Sequence, residues 1–171
     1  SSDQMDGVYY GYALAYDLVA NAAEKRVIAK HVADLTDYLL ENDLRIIGFD
    51  GKPTEWGSYY PEYVEKAEPM NALLFLQHLK VAHHVTGKRR FKKAYRLYAI
   101  DQQYAQTALK AHRDYNPLRM NFSDDILLAL AYLPLLRLEQ DPDLRTLYLN
   151  SYRRAWEGSD GVHGLKQQLS A

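Results

Sequence analysis

The sequence predicts an all-α domain made of three consecutive helical hairpins. Three observations carry that expectation. Apolar residues recur at helical spacings of three and four through most of the chain. Helix-start and helix-stop residues punctuate six such segments. The segments also alternate in kind, one apolar nearly all round and the next apolar on a single stripe. Only one short piece, 44–49 before the Asp50-Gly51 turn, reads as a strand.

The first segment runs from about Asp3 to Ala20 and includes Val8-Tyr9-Tyr10-Gly11-Tyr12-Ala13-Leu14. The second follows Asn21-Ala22-Ala23-Glu24 and reaches about Asn42. In this capping-box pattern, residues three apart satisfy each other's free backbone N–H groups. Its stripe is Val27, Ile28, His31, Leu35, Tyr38 and Leu39. The third segment spans about Met70 to Thr86 and stops at Gly87, which can take the left-handed conformation that ends a helix. The fourth runs from about Arg89 to His112. Ser123 caps the fifth, which carries Ile126-Leu127-Leu128-Ala129-Leu130-Ala131-Tyr132-Leu133 and reaches Glu139. Asp141-Pro142 opens the sixth, whose stripe is Leu144, Leu147, Tyr148, Ser151 and Tyr152, and which ends near Trp156.

A helix that is apolar all round must be covered on most sides, so helices one, three and five are expected inside and helices two, four and six outside. Inner-to-outer connections are tight, at Asn21, Gly87-Lys88 and Gln140-Asp141. Outer-to-inner connections are long, about Asp43 to Pro69 and Arg113 to Phe122. Both long loops therefore lead to one end of the domain, where the inner helices begin, and long loops in compact domains usually carry function. Residues 1–157 form the helical domain in this reading, and 158–171 a C-terminal tail.

Composition narrows the function. The 171 residues are 47% hydrophobic, enough for a real core. With 21 basic and 22 acidic residues the net charge is −1, which gives no basic field for nucleic acid and no polybasic membrane patch. No uninterrupted apolar run is long enough to span a bilayer. The absence of cysteine excludes disulfides and thiol catalysis and leaves the compartment open. No Gly-rich phosphate loop, Ser-His-Asp signature or His pair at helical zinc spacing occurs, so no cofactor is expected. The adjacent His83 and His84 point about 100° apart on a helix and read as structural. Lys88-Arg89-Arg90 with Lys92-Lys93 reads as a solvated face.

Several stretches resemble a bacterial family of (α/α) toroids of the six-hairpin glycosidase type. They are Ser1-Ser2-Asp3-Gln4-Met5-Asp6-Gly7, Asp50-Gly51-Lys52-Pro53-Thr54-Glu55-Trp56-Gly57, Leu79-Lys80-Val81-Ala82-His83-His84-Val85-Thr86-Gly87, and Asn121-Phe122-Ser123-Asp124-Asp125 leading to Leu130-Ala131-Tyr132-Leu133-Pro134-Leu135-Leu136. The resemblance covers about Ser1 to Trp156. It implies that the three hairpins form an arc of a toroid, with further hairpins on either side. It also implies a carbohydrate-active, glycoside-hydrolase-like cleft at the N-terminal ends of the inner helices.

Those ends carry Asp3 and Asp6, Asn71, and Asn121, Asp124 and Asp125. Glycoside cleavage typically uses two carboxyls, one to protonate the leaving oxygen and one to activate water or attack. One carboxyl would come from Asp3 or Asp6 and the other from Asp124 or Asp125. Against this stands the ordinary use of acids in the first turn, where they cap free N–H groups and favour the macrodipole. In the first long loop, Glu55 is a further candidate carboxylate, and Trp56, Tyr59 and Tyr60 offer flat faces on which a sugar ring can stack. With Asn71 and Asn121 they make up the expected substrate-binding set. Two alternatives stand beside the enzyme: a non-catalytic module binding a glycan or protein, and a toroid remnant used for oligomerisation. Three hairpins leave helices one and five each short of a neighbour. That exposure could be relieved by tightening into a bundle, by the tail, or by pairing of two chains, and a homodimer is expected.

Overall fold

The computed structural model describes residues 2–111 and 123–157, apart from the side chains at 125 and 155–157. Of these residues 77% are helical, in an all-α fold with one small two-stranded sheet. In chain order the elements are α1 (Ser2–Leu18), α2 (Ala22–Glu41), β1 (Arg45–Ile47), β2 (Pro53–Ser58), α3 (Pro61–Lys66), α4 (Pro69–Thr86), α5 (Arg89–Arg96), α6 (Tyr104–Thr107), α7 (Ser123–Leu138) and α8 (Pro142–Glu157). A π-helical turn, Leu97–Asp101, links α5 to α6, and a 3-10 turn, Ala108–Lys110, follows α6. The second long loop, Asn121 and the expected tail at 158–171 lie outside the described residues.

Local chemistry sets several of the ends as the sequence predicts. Asn21 caps α2 by accepting from the N–H groups of Ala23 at 2.9 Å and Glu24 at 3.1 Å, and Glu24 returns the bond to the Asn21 N–H at 2.7 Å. Gly87 ends α4 with φ at 65°, and its N–H donates to the His83 carbonyl. Asp141 accepts from the N–H groups of Asp143 and Leu144 at the start of α8.

The three expected inner helices, α1, α4 and α7, pack against one another, and α2, α5 and α8 lie against them. Met70 to Leu79 of α4 is buried without interruption. Helix α7 hides Leu127, Leu128, Ala131, Tyr132 and Leu135, whereas α8 hides mainly Tyr148 and Ser151. Helix α1 differs from the expectation. Only Ser2, Asp6, Tyr9 and Ala13 are buried, a single stripe at spacings of four, three and four. Each of α1, α4 and α7 contacts the other two. The three inner helices thus pack as a triangle, and the outward faces of α1 and α7 stay open at Val8, Ile126 and Leu133.

Two elements depart from the sequence reading. The fourth segment is not one continuous helix. It passes through the π turn, reverses at Gln103, which takes φ of 58°, and resumes as α6. The break points Tyr104 inward, where its hydroxyl donates to the Tyr59 carbonyl and its ring packs near Phe75 and Tyr98. A tertiary anchor here outweighs helical propensity, and Leu97 and Ile100 are left partly exposed. The first long loop also contains a second strand and a short helix. Strand β2 pairs antiparallel with β1 through an irregular register around the turn at Gly51, which has φ of 76°. The Tyr38 hydroxyl accepts from the Ile47 N–H at 2.8 Å and ties the hairpin to α2.

Gly57 is needed in this hairpin. A Cβ there would lie 2.3 Å from the Thr54 hydroxyl and 2.8 Å from Ile46 Cβ, whereas one on Gly11 of α1 would meet nothing within 4 Å. Gly57→Ala is therefore expected to lower unfolding stability by about 1–3 kcal/mol through overpacking. Gly11→Ala is expected to raise it by about 0.5–1 kcal/mol through lost helix-glycine entropy. Urea denaturation of the two variants checks both signs.

Candidate functional site

The N-termini of α1, α4 and α7 open onto one hollow of about 540 Å³. Each contributes its first residues: Ser2 and Asp3 from α1, Met70 and Asn71 from α4, Ser123 and Asp124 from α7. The two acids sit in matching Ser-Asp pairs. The Ser2 hydroxyl donates to Asp3 Oδ1 at 3.1 Å, and the Ser123 hydroxyl donates to Asp124 Oδ1 at 3.3 Å. Three aligned helix starts supply a positive field that stabilises carboxylates, so these acids fit their places as ordinary helix starts too.

The first long loop reaches the same hollow through Trp56, which lines it and is 53% exposed. Asn71 is the clamp that holds it. Its Nδ2 donates to the carbonyls of Trp56 at 3.0 Å and Ser58 at 2.9 Å, so both amide protons are committed to positioning β2. Met70 and Leu127 supply apolar lining.

The predicted site residues thus fall into groups. Asp3, Trp56, Asn71 and Asp124 come together. Glu55 is exposed on β2 and does not line the hollow. Tyr59 is fully buried, an anchor of the core rather than a sugar platform, because its ring stacks on Phe75 and its carbonyl receives Tyr104. Tyr60 is half-buried under Arg45, whose guanidinium lies 4.4 Å from the ring centre, and beside Tyr63. Asp6 is fully buried and faces the interior. The Asp125 side chain and Asn121 lie outside the described residues.

Sequence reasoning missed the polar cluster around Asp6. His78 is fully buried in α4, stacked on Tyr9 with ring centres 4.2 Å apart and edge-on to Tyr59 at 5.5 Å. Gln77 Nε2 donates to the Asp6 carbonyl at 3.4 Å, and the Tyr9 hydroxyl bonds Thr36 at 2.7 Å. Both Asp6 carboxyl oxygens, both His78 ring nitrogens, Gln77 Oε1 and the Tyr59 hydroxyl have no hydrogen-bond partner. Native interiors leave few such groups. One signal was legible: Gln77-His78 interrupts an otherwise apolar stretch from Ala72 to Leu79.

Burial sets the charge of this cluster. Loss of water, helped by Asp3, raises the Asp6 carboxyl from 3.8 to about 8, and burial alone lowers His78 from 6.5 to about 3. Both groups are therefore neutral at pH 7. Among the described residues, no group of three or more His, Cys, Asp or Glu side chains is placed to hold a metal ion. No helix among them is long and apolar enough to cross a membrane.

Comparison with protein-family models, with curated proteins and with solved structures returns no match. What fold and site define is therefore a class: an all-α protein whose three parallel inner helices begin around one acidic hollow with an exposed tryptophan at its edge.

The buried pair makes stability depend on pH. Asp6 takes up a proton more readily folded than unfolded, so its contribution falls as pH rises from about 4 to about 8. His78 resists protonation when folded, so its contribution is present above 6.5 and is lost as pH falls toward 3. The slopes oppose each other between about 4 and 6.5. Between 6.5 and 8 only Asp6 acts, and unfolding free energy is expected to fall by roughly 1.4 kcal/mol per pH unit. Asp6→Asn removes that fall. Urea denaturation at the two ends of this window checks it; a flat profile for the unsubstituted protein would contradict a buried, protonated Asp6.

Proposed function

We propose that the protein is carbohydrate-active and glycoside-hydrolase-like, with the hollow at the starts of α1, α4 and α7 as its sugar site. The observation that carries this reading is the meeting of Asp3, Asp124 and the exposed Trp56 on one concave surface. The hollow of about 540 Å³ lies in the size range of small-ligand sites. The resemblance to six-hairpin toroid glycosidases supports the same end of the domain, and the arc arrangement of the hairpins belongs to this proposal.

The division of labour follows from position. Asp3 and Asp124 enter from different helices and are the two carboxyls that reach bound sugar, one to protonate the leaving oxygen and one to activate water or attack. Trp56 stacks on the apolar face of a sugar ring, and Asn71 positions it through the β2 backbone. Asp6, one turn below Asp3, holds a proton at neutral pH and limits the negative charge beneath the site.

The test is release of reducing ends from a panel of defined oligosaccharides. Asp3→Asn and Asp124→Asn are each expected to lower turnover by at least about 10²-fold, the scale of acid–base catalysis, with unchanged helical circular dichroism. Trp56→Ala is expected to raise KM about tenfold, the loss of one stacking contact. Unchanged turnover in both Asn variants would return the acids to helix capping. Trp56 fluorescence responding to oligosaccharide with no turnover would favour the alternative, a glycan-binding module.

Self-association belongs to the same proposal. The open faces of α1 and α7 flank an apolar groove at Tyr10, Leu14, Leu133 and Pro134, and the exposed Val8 and Ile126 widen the apolar surface. A two-fold pairing of chains through these faces would cover it. Sedimentation giving a clean 19.7 kDa monomer would remove this part.

A further inference from the structure

A second hollow, about 630 Å³, lies at the opposite end of the bundle, where α4 and α7 end and α5 and α8 begin. The fold collects here two features that read as unremarkable in the sequence, the adjacent histidines at the end of α4 and the basic start of α5. Cations dominate the lining. Lys80 and His83 come from α4, Lys92 and Arg96 from α5, and Arg137 from α7, against Glu139 and Asp141.

The acids at this end are already committed. Glu139 is buried and accepts from Lys80 at 2.8 Å, from the Tyr95 hydroxyl, and from the backbone N–H groups of Gln140 at 2.8 Å and Asp141 at 2.9 Å. Asp141 caps α8. Arg137 and His84 share Asp17 at 3.1 Å and 2.8 Å. Lys92, Arg96 and His83 remain. Lys92 and Arg96 stand one turn apart on α5 and line the same hollow, and among the described residues neither forms an ion pair. The His83 Nδ1 is enclosed by the protein without a hydrogen-bond partner, so the rest of its ring lines the hollow.

The geometry points to a binding site for a small phosphate-bearing molecule, held by Lys92, Arg96 and His83. An arginine fork beside a lysine point charge suits the several oxygens of a phosphoryl group. The concave shape and the balanced net charge of the chain favour a small ligand over nucleic acid. The His83 imidazolium is disfavoured by burial and then by Lys92, Lys80 and His84. A bound dianion would offset the charges of Lys92, Lys80, Arg96 and Arg137 and favour the imidazolium, while Glu139 and Asp141 stay engaged as they are. Binding of a dianion is therefore expected to raise the titration midpoint of His83. This site is separate from the sugar hollow and does not depend on that reading.

The experiment is titration of the full chain with inorganic phosphate and with pyrophosphate, followed by nuclear magnetic resonance of the histidine rings at constant ionic strength. A saturable shift of the His83 ring is expected, with an upward move of its titration midpoint. Lys92→Ala and Arg96→Ala are each expected to weaken binding about tenfold, the loss of one charge-assisted contact. Lys52→Ala, on the β-hairpin, is expected to leave it unchanged. A linear, non-saturating response, an equal response to chloride, or equal weakening by Lys52→Ala would overturn the site and leave only diffuse counter-ion attraction.

Discussion

The structure depends on the burial of the N-terminal half of α4, Met70 to Leu79. From Met70 to Leu79 every residue is buried, so this stretch needs partners on every side. Helices α1 and α7 cover its inner flanks, α2 and α5 cover the others, and α3 and α6 pack near its N-terminal half. Leu73, Leu74, Phe75, Leu76 and Leu79 are all at zero exposure, and each contributes on the order of 1.5–3 kcal/mol of hydrophobic stabilisation. Helices α1 and α7 are placed by what they cover. Their starts meet at the hollow because α4 starts there.

Full burial also explains the least comfortable part of the protein. Gln77 and His78 are carried into the interior by the helix they belong to, and Asp6 and Tyr59 face them from α1 and the loop before α3. Charged forms would be strongly penalised there, so the cluster persists by staying neutral. The expense falls close to the hollow, one helical turn beneath Asp3. A carboxyl that keeps its proton below a surface carboxylate is a feature that pure packing would not select, since an apolar residue of similar size would cost less.

Much of the fold was legible because the signals were local. The Asn21 capping box, the Gly87 stop and the Asp141-Pro142 start each act within one turn, and their physics needs no tertiary partner. The break at Gln103 was not legible, because it exists to place Tyr104 against Tyr59, and no residue near Gln103 announces a left-handed turn. The half-open state of α1 was hidden for a related reason. An all-apolar pattern says that a helix can be covered, whereas the number of neighbours decides whether it is. For the site, helix order placed Asp3, Asn71 and Asp124 at one end, since tight and long connections alternate. It could not distinguish Trp56, which faces the hollow, from Tyr59, which faces the core, because alternate directions on an irregular hairpin depend on its register.

The two ends of the bundle differ in charge for a common electrostatic reason. Helices α1, α4 and α7 run parallel: their first residues share one hollow, and near their other ends Asp17, His84 and Arg137 form a single cluster. Parallel dipoles repel one another, and the cost grows when three are packed side by side. The antiparallel outer helices α2, α5 and α8 offset part of it. Side chains offset more, since Asp3 and Asp124 sit at the positive ends while Lys80, His84 and Arg137 sit toward the negative ends. Asp17 is an acid on α1 at that end. It is stable there because it draws His84 from α4 and Arg137 from α7 onto α1, so one acid ties together the ends of all three inner helices. The same dipole logic that accounts for acids around the first hollow accounts for the surplus of cations around the second. It accounts for them only in part, however, since Lys92 lies in the first turn of α5, where added positive charge is disfavoured, whereas Arg96 sits in its last turn.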